Sequence, residues 1–212
     1  MKQALLINQL PNKLNYFEEQ LFQDGYQLIA GVDEAGRGCL AGPVVAASVI
    51  LPQKFNPSGL NDSKKLTAKQ RDKFYDLIVA QALAWSVIRI EPSQIDEINI
   101  FQASMLAMQK AINSLKPIPN FILVDGPHLI ETRIPQKALK KGDARSNSIA
   151  AASILAKVSR DRIMQEYAQK YPNFSFAIHK GYGTAKHLSE LDEFGITPIH
   201  RQSFAPVKAK CT

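Results

Sequence analysis

The chain has 212 residues, 45% of them hydrophobic, enough for a packed core and too many for a disordered chain. Its 26 lysines and arginines outnumber 19 aspartates and glutamates, and the net charge of +7 favours a polyanionic partner such as nucleic acid. The longest apolar runs, 44–51 and 149–156, fall well short of the ~18 residues that suggest a membrane span, and residues 1–7 are too short an apolar stretch for a signal peptide. Two cysteines, Cys39 and Cys211, make neither a disulfide framework nor a zinc set, so a reducing cytoplasm is the expected compartment.

Apolar positions Leu14, Phe17, Leu21 and Phe22 predict a helix over 10–22, stopped at Asp24-Gly25. Two strands rich in β-branched residues follow at 26–32 and 44–51, joined by a glycine-rich turn. Residues 52–65 read as a polar loop ending in Ser63-Lys64-Lys65. Thr67 is the expected N-cap of a helix whose inner face is Phe74, Leu77, Ile78 and Ala82. A third strand is expected over 85–90. Ser93 then caps a helix to about 115 with Ile98, Phe101, Met105, Met108 and Ile112 facing inward. After the Lys116-Pro117-Ile118-Pro119 break, the run 121–124, closed by Asp125-Gly126-Pro127, suits a central strand buried on both faces. Residues 137–142 read as a basic linker and 146–170 as the longest helix, apolar nearly all round over 149–156 and so packed on the sheet. Beyond Pro172 come Lys180-Gly181-Tyr182-Gly183-Thr184, a short helix to about 194, and an irregular tail. Short links favour antiparallel pairing of the first three strands, and the later helix-strand-helix order adds a parallel strand. The expected fold class is therefore α/β, a mixed β-sheet flanked by helices.

Asp33, Glu34, Asp125 and Asp143 are the acids expected to meet. The first three close apolar strands and Asp143 opens the buried helix. Converging carboxylates repel one another and some stay protonated unless a cation balances them. Two magnesium or manganese ions suit such hard oxygen ligands and can hydrolyse a phosphodiester. Neighbouring strand residues point to opposite faces, so Asp33 and Glu34 share a site only if the strand ends or bends there. Spacing alone leaves each acid equally open to a role as a helix cap or a solvated strand end. Gly36-Arg37-Gly38 places two glycines around one cation beside the acids, and Tyr182 between glycines resembles a ring presented for stacking. Taken alone, the first is more often an ordinary turn with an exposed arginine and the second an edge-of-core tyrosine. Ser63, Lys64, Lys65, Lys137, Lys140, Lys141, Arg145, Lys180 and Arg201 are candidates for a phosphate track, although charge runs are usually solvated faces. His179, His187 and His200 lack metal-ligand spacing.

The stretch 31–45, Gly-Val-Asp-Glu-Ala-Gly-Arg-Gly onward, resembles the first signature of type 2 ribonuclease H, and the chain over 28–207 is similar to bacterial ribonuclease HII. Further matches follow in order: Asp62-Ser63-Lys64-Lys65-Leu66, Leu123-Val124-Asp125-Gly126, Gly142-Asp143-Ala144 with 148–158, Lys180-Gly181-Tyr182-Gly183-Thr184, and His200-Arg201-Gln202-Ser203-Phe204. The resemblance implies a ribonuclease H-like fold with a small helical C-terminal extension. Three parts are expected: 1–26 as an N-terminal helical extension, 27–170 as the catalytic domain, and 171–212 as a C-terminal substrate-binding part and tail. It also implies cleavage of RNA in RNA-DNA hybrids and nicking of duplex DNA 5′ to embedded ribonucleotides, leaving 5′-phosphomonoesters. By position, Asp33, Glu34, Asp125 and Asp143 are the implied catalytic metal ligands for Mn2+ or Mg2+. Gly36, Arg37 and Gly38 are implied to sense the 2′-hydroxyl and Tyr182 to stack on the adjacent deoxyribose. Ser63, Lys64 and Lys65 join them as expected substrate contacts. Cys39 stands where proline is usual, and its thiol raises the expectation of oxidation sensitivity. A monomer without membrane contact is expected; contact of the basic tail with a DNA clamp is left open. A hybrid-only ribonuclease HIII usually carries a separate N-terminal domain, which about 25 residues before the first strand cannot supply. A binding protein on a degenerate nuclease fold would have no use for all four acids.

Overall fold

A computed structural model describes residues 14–55, 57, 60, 63 and 66–211. The elements are α1 (Tyr16–Gln23), β1 (Ile29–Ala35), β2 (Val44–Ile50), α2 (Ala68–Gln81), β3 (Ala84–Ile90), α3 (Pro92–Asn113), β4 (Phe121–Asp125), β5 (Gln136–Leu139), a 3-10 turn (Gly142–Ala144), α4 (Asn147–Lys170), α5 (Phe176–His179), α6 (Ala185–Phe194) and α7 (Ala205–Lys208). The strands lie in the order β3-β2-β1-β4-β5. β1 and β3 run antiparallel to β2, whereas β4 is parallel to both β1 and β5. This is the expected mixed α/β sheet, with one strand more than the sequence indicated.

Alternation along β1 and β2 assigns the two faces. Ala30, Val32, Val44 and Ala46 pack with Ile95, Ala107 and Ile112 of α3, while Ala47 and Val49 pack with Ala151, Ile154 and Leu155 of α4 and with Ile78 of α2. The sheet is thus sandwiched between α3 on one side and α4 with α2 on the other. β1 and α4 touch backbone to backbone at Gly31, where an added Cβ would lie 2.1 Å from the Ser148 carbonyl carbon. That contact fixes what lies two residues on: Asp33 emerges on the α4 face, close to Ser153. A third cluster, Leu40, Met164, Phe174, Phe176, Leu191 and Ile199, packs the C-terminal segment against the turn after β1 and the end of α4.

Several local expectations hold for stated reasons. Thr67 caps α2 in a reciprocal box with Gln70, and Asp24 and Gly25, the latter at φ +92°, stop α1. Residues 10–13 of the expected first helix lie outside the described residues. Others need correction. The basic linker 137–142 contains β5, whose Gln136–Leu139 pairs with Ile122–Asp125. Glu91 rather than Ser93 precedes α3, with Pro92 in its first turn. Asn99 (φ 66°, ψ 163°) interrupts α3 and its side chain accepts from the Gln102 N–H at 3.1 Å, restarting the helix. Met108 and Ile112 are buried as expected, beside Ala103, Ala107 and Ala111; Ile98 and Met105 are partly buried at the edge of this core and, with Phe101, line a surface groove with His128 and Leu129. The tail expected to be irregular carries α7.

Candidate active site

β1 does not end or bend at its acids. It continues through Ala35, with Asp33 opposite Ala47 and Glu34 opposite Ala46 on β2. On the other side β1 and β4 are last paired at Val32 and Val124, so Asp33 and Asp125 are the next residues on adjacent parallel strands, about 5 Å apart in backbone. Both point to the α4 side. Glu34 reaches the same place because β4 stops here and leaves the sheet end open. Asp33, Glu34, Arg37, Ser63, Lys157 and Tyr182 line one pocket of about 240 Å3 at that end.

The Asp33 carboxyl is buried. It accepts the Glu34 N–H at 2.6 Å, and the Ser153 side chain beside it, whose hydroxyl is 2.8 Å from that of Ser63, favours its charged form. Burial and then the charges of Glu34 and Asp125 push the Asp33 carboxyl well above the usual carboxylate range. Burial also raises Glu34, with Arg37 at 3.3 Å opposing and Asp125 adding to the rise. Asp125 accepts the Gly142 N–H at 2.7 Å, so the 3-10 turn that carries buried Asp143 is tied directly to the second acid. Among the described residues, no three His, Cys, Asp or Glu side chains are gathered into a ready-made ligand set. The acids share one end of the sheet without converging on a point.

The turn after β1 is held from below. Gly36 has φ +95°, and a Cβ on it would fall 2.1 Å from Nε of Arg160, which passes directly beneath. Arg37 and Gly38 are exposed. Tyr182 is 41% exposed at the pocket rim, its backbone bridged to Cys39. Cys39 is fully buried, and burial pushes its thiol upward, the setting of an unreactive cysteine rather than the oxidation-sensitive one expected. Lys157 lies 5.6 Å from the centre of the Tyr182 ring and pairs with Asp161 at 2.7 Å.

Of the remaining expected contacts, Ser63 is in the pocket but buried, and Lys64 and Lys65 lie outside the described residues. Lys137 and Arg145 both sit over the Phe17 ring of α1 at 5.0 Å, at the β5 side of the sheet. Arg201 is not on a phosphate track: it is completely buried and donates to main-chain carbonyls. Sequence reasoning missed Ser153, Lys157 and Arg160. The last carried a signal, because Ala152, Ala156, Arg160 and Met164 recur every four residues on the buried stripe of α4.

A family model for ribonuclease HII matches residues 30–207. The chain belongs to the ribonuclease HII family. A ribonuclease HII of Leuconostoc mesenteroides is 53% identical over 209 residues, covering 98% of this chain and 82% of that protein. Among solved structures, the ribonuclease H2 of Pyrococcus horikoshii OT3 superposes with a TM-score of 0.72 at 29% identity, covering 85% of this chain and 95% of that one. The ribonuclease HII of Archaeoglobus fulgidus, solved in complex with PCNA, gives 0.69 at 28% identity over 84% and 95%. The fold is thus that of the type 2 ribonucleases H. The protein is an enzyme, a ribonuclease H, whose family activity is hydrolysis of RNA in RNA-DNA hybrids. No helix among the described residues is long and apolar enough to cross a membrane.

Proposed function

We propose that this ribonuclease H also nicks duplex DNA on the 5′ side of an embedded ribonucleotide, leaving a 5′-phosphomonoester, with Mg2+ or Mn2+ held by Asp33, Glu34, Asp125 and Asp143. The observation that carries this reading is the gathering of buried Asp33 with Glu34 and Asp125 at the open sheet end, where burial first and then the neighbouring charges raise the Asp33 carboxyl. A site built only for structure would not gather like charges without a cation. The donors are hard carboxylate oxygens at an open sheet end, as magnesium and manganese require. Such ions would balance the acids, activate a water and stabilise the leaving oxygen.

The chain's own residues do the rest. Ser153, paired with Ser63, lies beside the Asp33 carboxyl and favours its charged form. The turn at 36–38 offers main-chain amides at the pocket edge, where a 2′-hydroxyl distinguishes RNA from DNA. Arg37, half exposed and paired to Glu34, is placed to meet a phosphate. The exposed Tyr182 ring is placed to stack on the sugar that follows, with Lys157 beside it. The net charge of +7 favours a duplex partner. Contact between the C-terminal tail and a sliding clamp remains a proposal by likeness to the Archaeoglobus complex.

The test is a labelled DNA duplex with one ribonucleotide, incubated with Mg2+, Mn2+ or chelator. Metal-dependent nicking 5′ to the ribonucleotide is expected. Cleavage of long hybrids alone would overturn the junction reading, and cleavage in chelator would overturn the metal reading.

A further inference from the structure

Two arginines 41 residues apart in sequence, Arg160 of α4 and Arg201 of the C-terminal segment, are both completely buried beneath the turn that follows β1. Buried guanidinium groups are costly unless every donor is used. Here each makes three bonds to main-chain carbonyls. Arg201 donates from Nη2 to Gly36 O at 2.7 Å, from Nη1 to Arg37 O at 2.9 Å, and from Nε to Gly42 O at 3.0 Å. Arg160 donates from Nε to Pro43 O at 3.0 Å, from Nη2 to Ala41 O at 3.0 Å, and from Nη1 to Lys180 O at 2.9 Å.

The pattern of acceptors matters. In a trans peptide the C=O and N–H point in opposite directions. With the Gly36 and Arg37 carbonyls both drawn inward to Arg201, the N–H groups of Arg37 and Gly38 are turned outward, side by side, on the exposed face of the turn. Arg160 does a second job. It holds carbonyls of the turn and the carbonyl of Lys180, two residues before Tyr182, on one rigid planar group, which sets the separation of turn and tyrosine ring. The C-terminal anchor is itself fixed, since Asp96 of α3 accepts the N–H groups of Gln202 and Ser203, each at 2.9 Å. Burial lowers Arg201 to about 10, so it keeps its charge at neutral pH.

We propose that Arg160 and Arg201 are positioning residues that preset the outward amides of the turn and their spacing from Tyr182. They thereby set the preference for a lone ribonucleotide over a continuous hybrid. The inference rests on the reading of 36–38 and Tyr182 as the elements that meet the RNA-DNA junction. A continuous hybrid offers a 2′-hydroxyl at every position of the cleaved strand, so it tolerates a displaced turn; a single ribonucleotide offers one. Lysine keeps the charge but not the fork, and cannot hold successive carbonyls together.

The experiment compares kcat/KM on a one-ribonucleotide duplex and on a long hybrid for the wild type, Arg201→Lys and Arg160→Lys, with circular dichroism and melting to establish folding. The proposal expects the ratio of the two activities to fall about 10-fold or more in folded variants, because an ångström-scale misplacement costs up to about 100-fold. Equal losses on both substrates, or an unchanged ratio, would reduce the arginines to structural pins and overturn it. Should the variants not fold, 15N relaxation of the wild type decides. Order parameters at Arg37 and Gly38 near the ~0.85 of rigid backbone are expected, and values below ~0.6 would refute presetting. A wild type that nicks no single ribonucleotide would instead defeat the functional reading on which the proposal stands.

Discussion

Gly36→Ala tests the packing beneath the turn with one methyl group. The residue has φ +95°, and its new Cβ would sit 2.1 Å from Nε and 2.5 Å from Cδ of Arg160. Arg160 cannot swing aside cheaply, being completely buried and bonded to three carbonyls. The strain of a non-glycine residue at positive φ costs about 1–2 kcal/mol. Displacing the guanidinium by enough to lose one bond to a charged donor adds about 1.5–3 kcal/mol. A loss of about 2.5–5 kcal/mol, for a chain of this size, lowers the melting temperature by roughly 5–20 °C. Gly38→Ala is the internal control, since no atom lies within 4 Å of its ideal Cβ and its φ is not positive. That variant should melt within about 2 °C of the wild type, yet lose single-ribonucleotide cleavage because its methyl stands on the exposed face of the turn. Differential scanning calorimetry on both proteins, with nicking assays alongside, makes the comparison. If Gly36→Ala melts with the wild type, the account of the turn as pinned from below is wrong.

Two further predictions concern stability. His187, His200 and His179 form a buried set: His187 Nδ1–H donates to Tyr182 O, His200 Nδ1 accepts from Thr197 N–H, and the two Nε2 atoms meet at 3.0 Å. Burial and the neighbouring His187 lower His200 to about 4, so the unfolded chain gains a proton that the folded one refuses as pH falls below 6.5. Its contribution is complete above about pH 6.5 and should fall by roughly 2 kcal/mol at pH 5. Asp33 and Glu34, with raised carboxyls, act in the opposite sense. Urea unfolding of His200→Gln beside the wild type at pH 7.5 and 5.0 isolates the histidine, and identical pH slopes would refute the assignment. Glu18 of α1 is buried and accepts the Ser146 hydroxyl at 2.6 Å and the Ser148 N–H at 2.9 Å. Glu18→Ala therefore strands two donors at the start of α4 and should cost about 1–3 kcal/mol in urea unfolding, whereas Glu18→Gln should recover much of it. Equal stability of the Ala variant and the wild type would remove this role from α1.

What could be read from the sequence was whatever local chemistry announces. Acids ending apolar runs marked Asp33, Glu34 and Asp125, and Thr67 ahead of an apolar-periodic run marked a helix start. The all-round apolar stretch 149–156 gave the helix laid on the sheet. Other features depend on partners distant in the chain. Arg201 sits 165 residues from the carbonyl it holds at Gly36, and an arginine read alone belongs to the surface. β5 is four residues of mixed polarity at a sheet edge, with too little pattern to distinguish it from a linker. The interruption at Asn99 left no mark in the apolar periodicity: Met108 and Ile112 beyond it are buried as expected, while Phe101, two residues past it, lines a surface groove. Ser153 looked like one small residue among alanines, and only its position opposite Asp33 gives it a role.

The central claim is that the crowded acids at the open sheet end hold divalent cations. Calorimetric titration of Mn2+ into the wild type and Asp33→Asn, with cleavage measured on the same samples, tests it most directly. The account predicts saturable binding with stabilisation of the wild type, and both lost in the variant. Cleavage by the variant should fall more than about 100-fold, beyond what loss of an outer-shell partner costs, while without metal it should be no less stable than the wild type, being relieved of a buried charge. Equal Mn2+ binding by the two proteins, or substantial cleavage by Asp33→Asn, would contradict it.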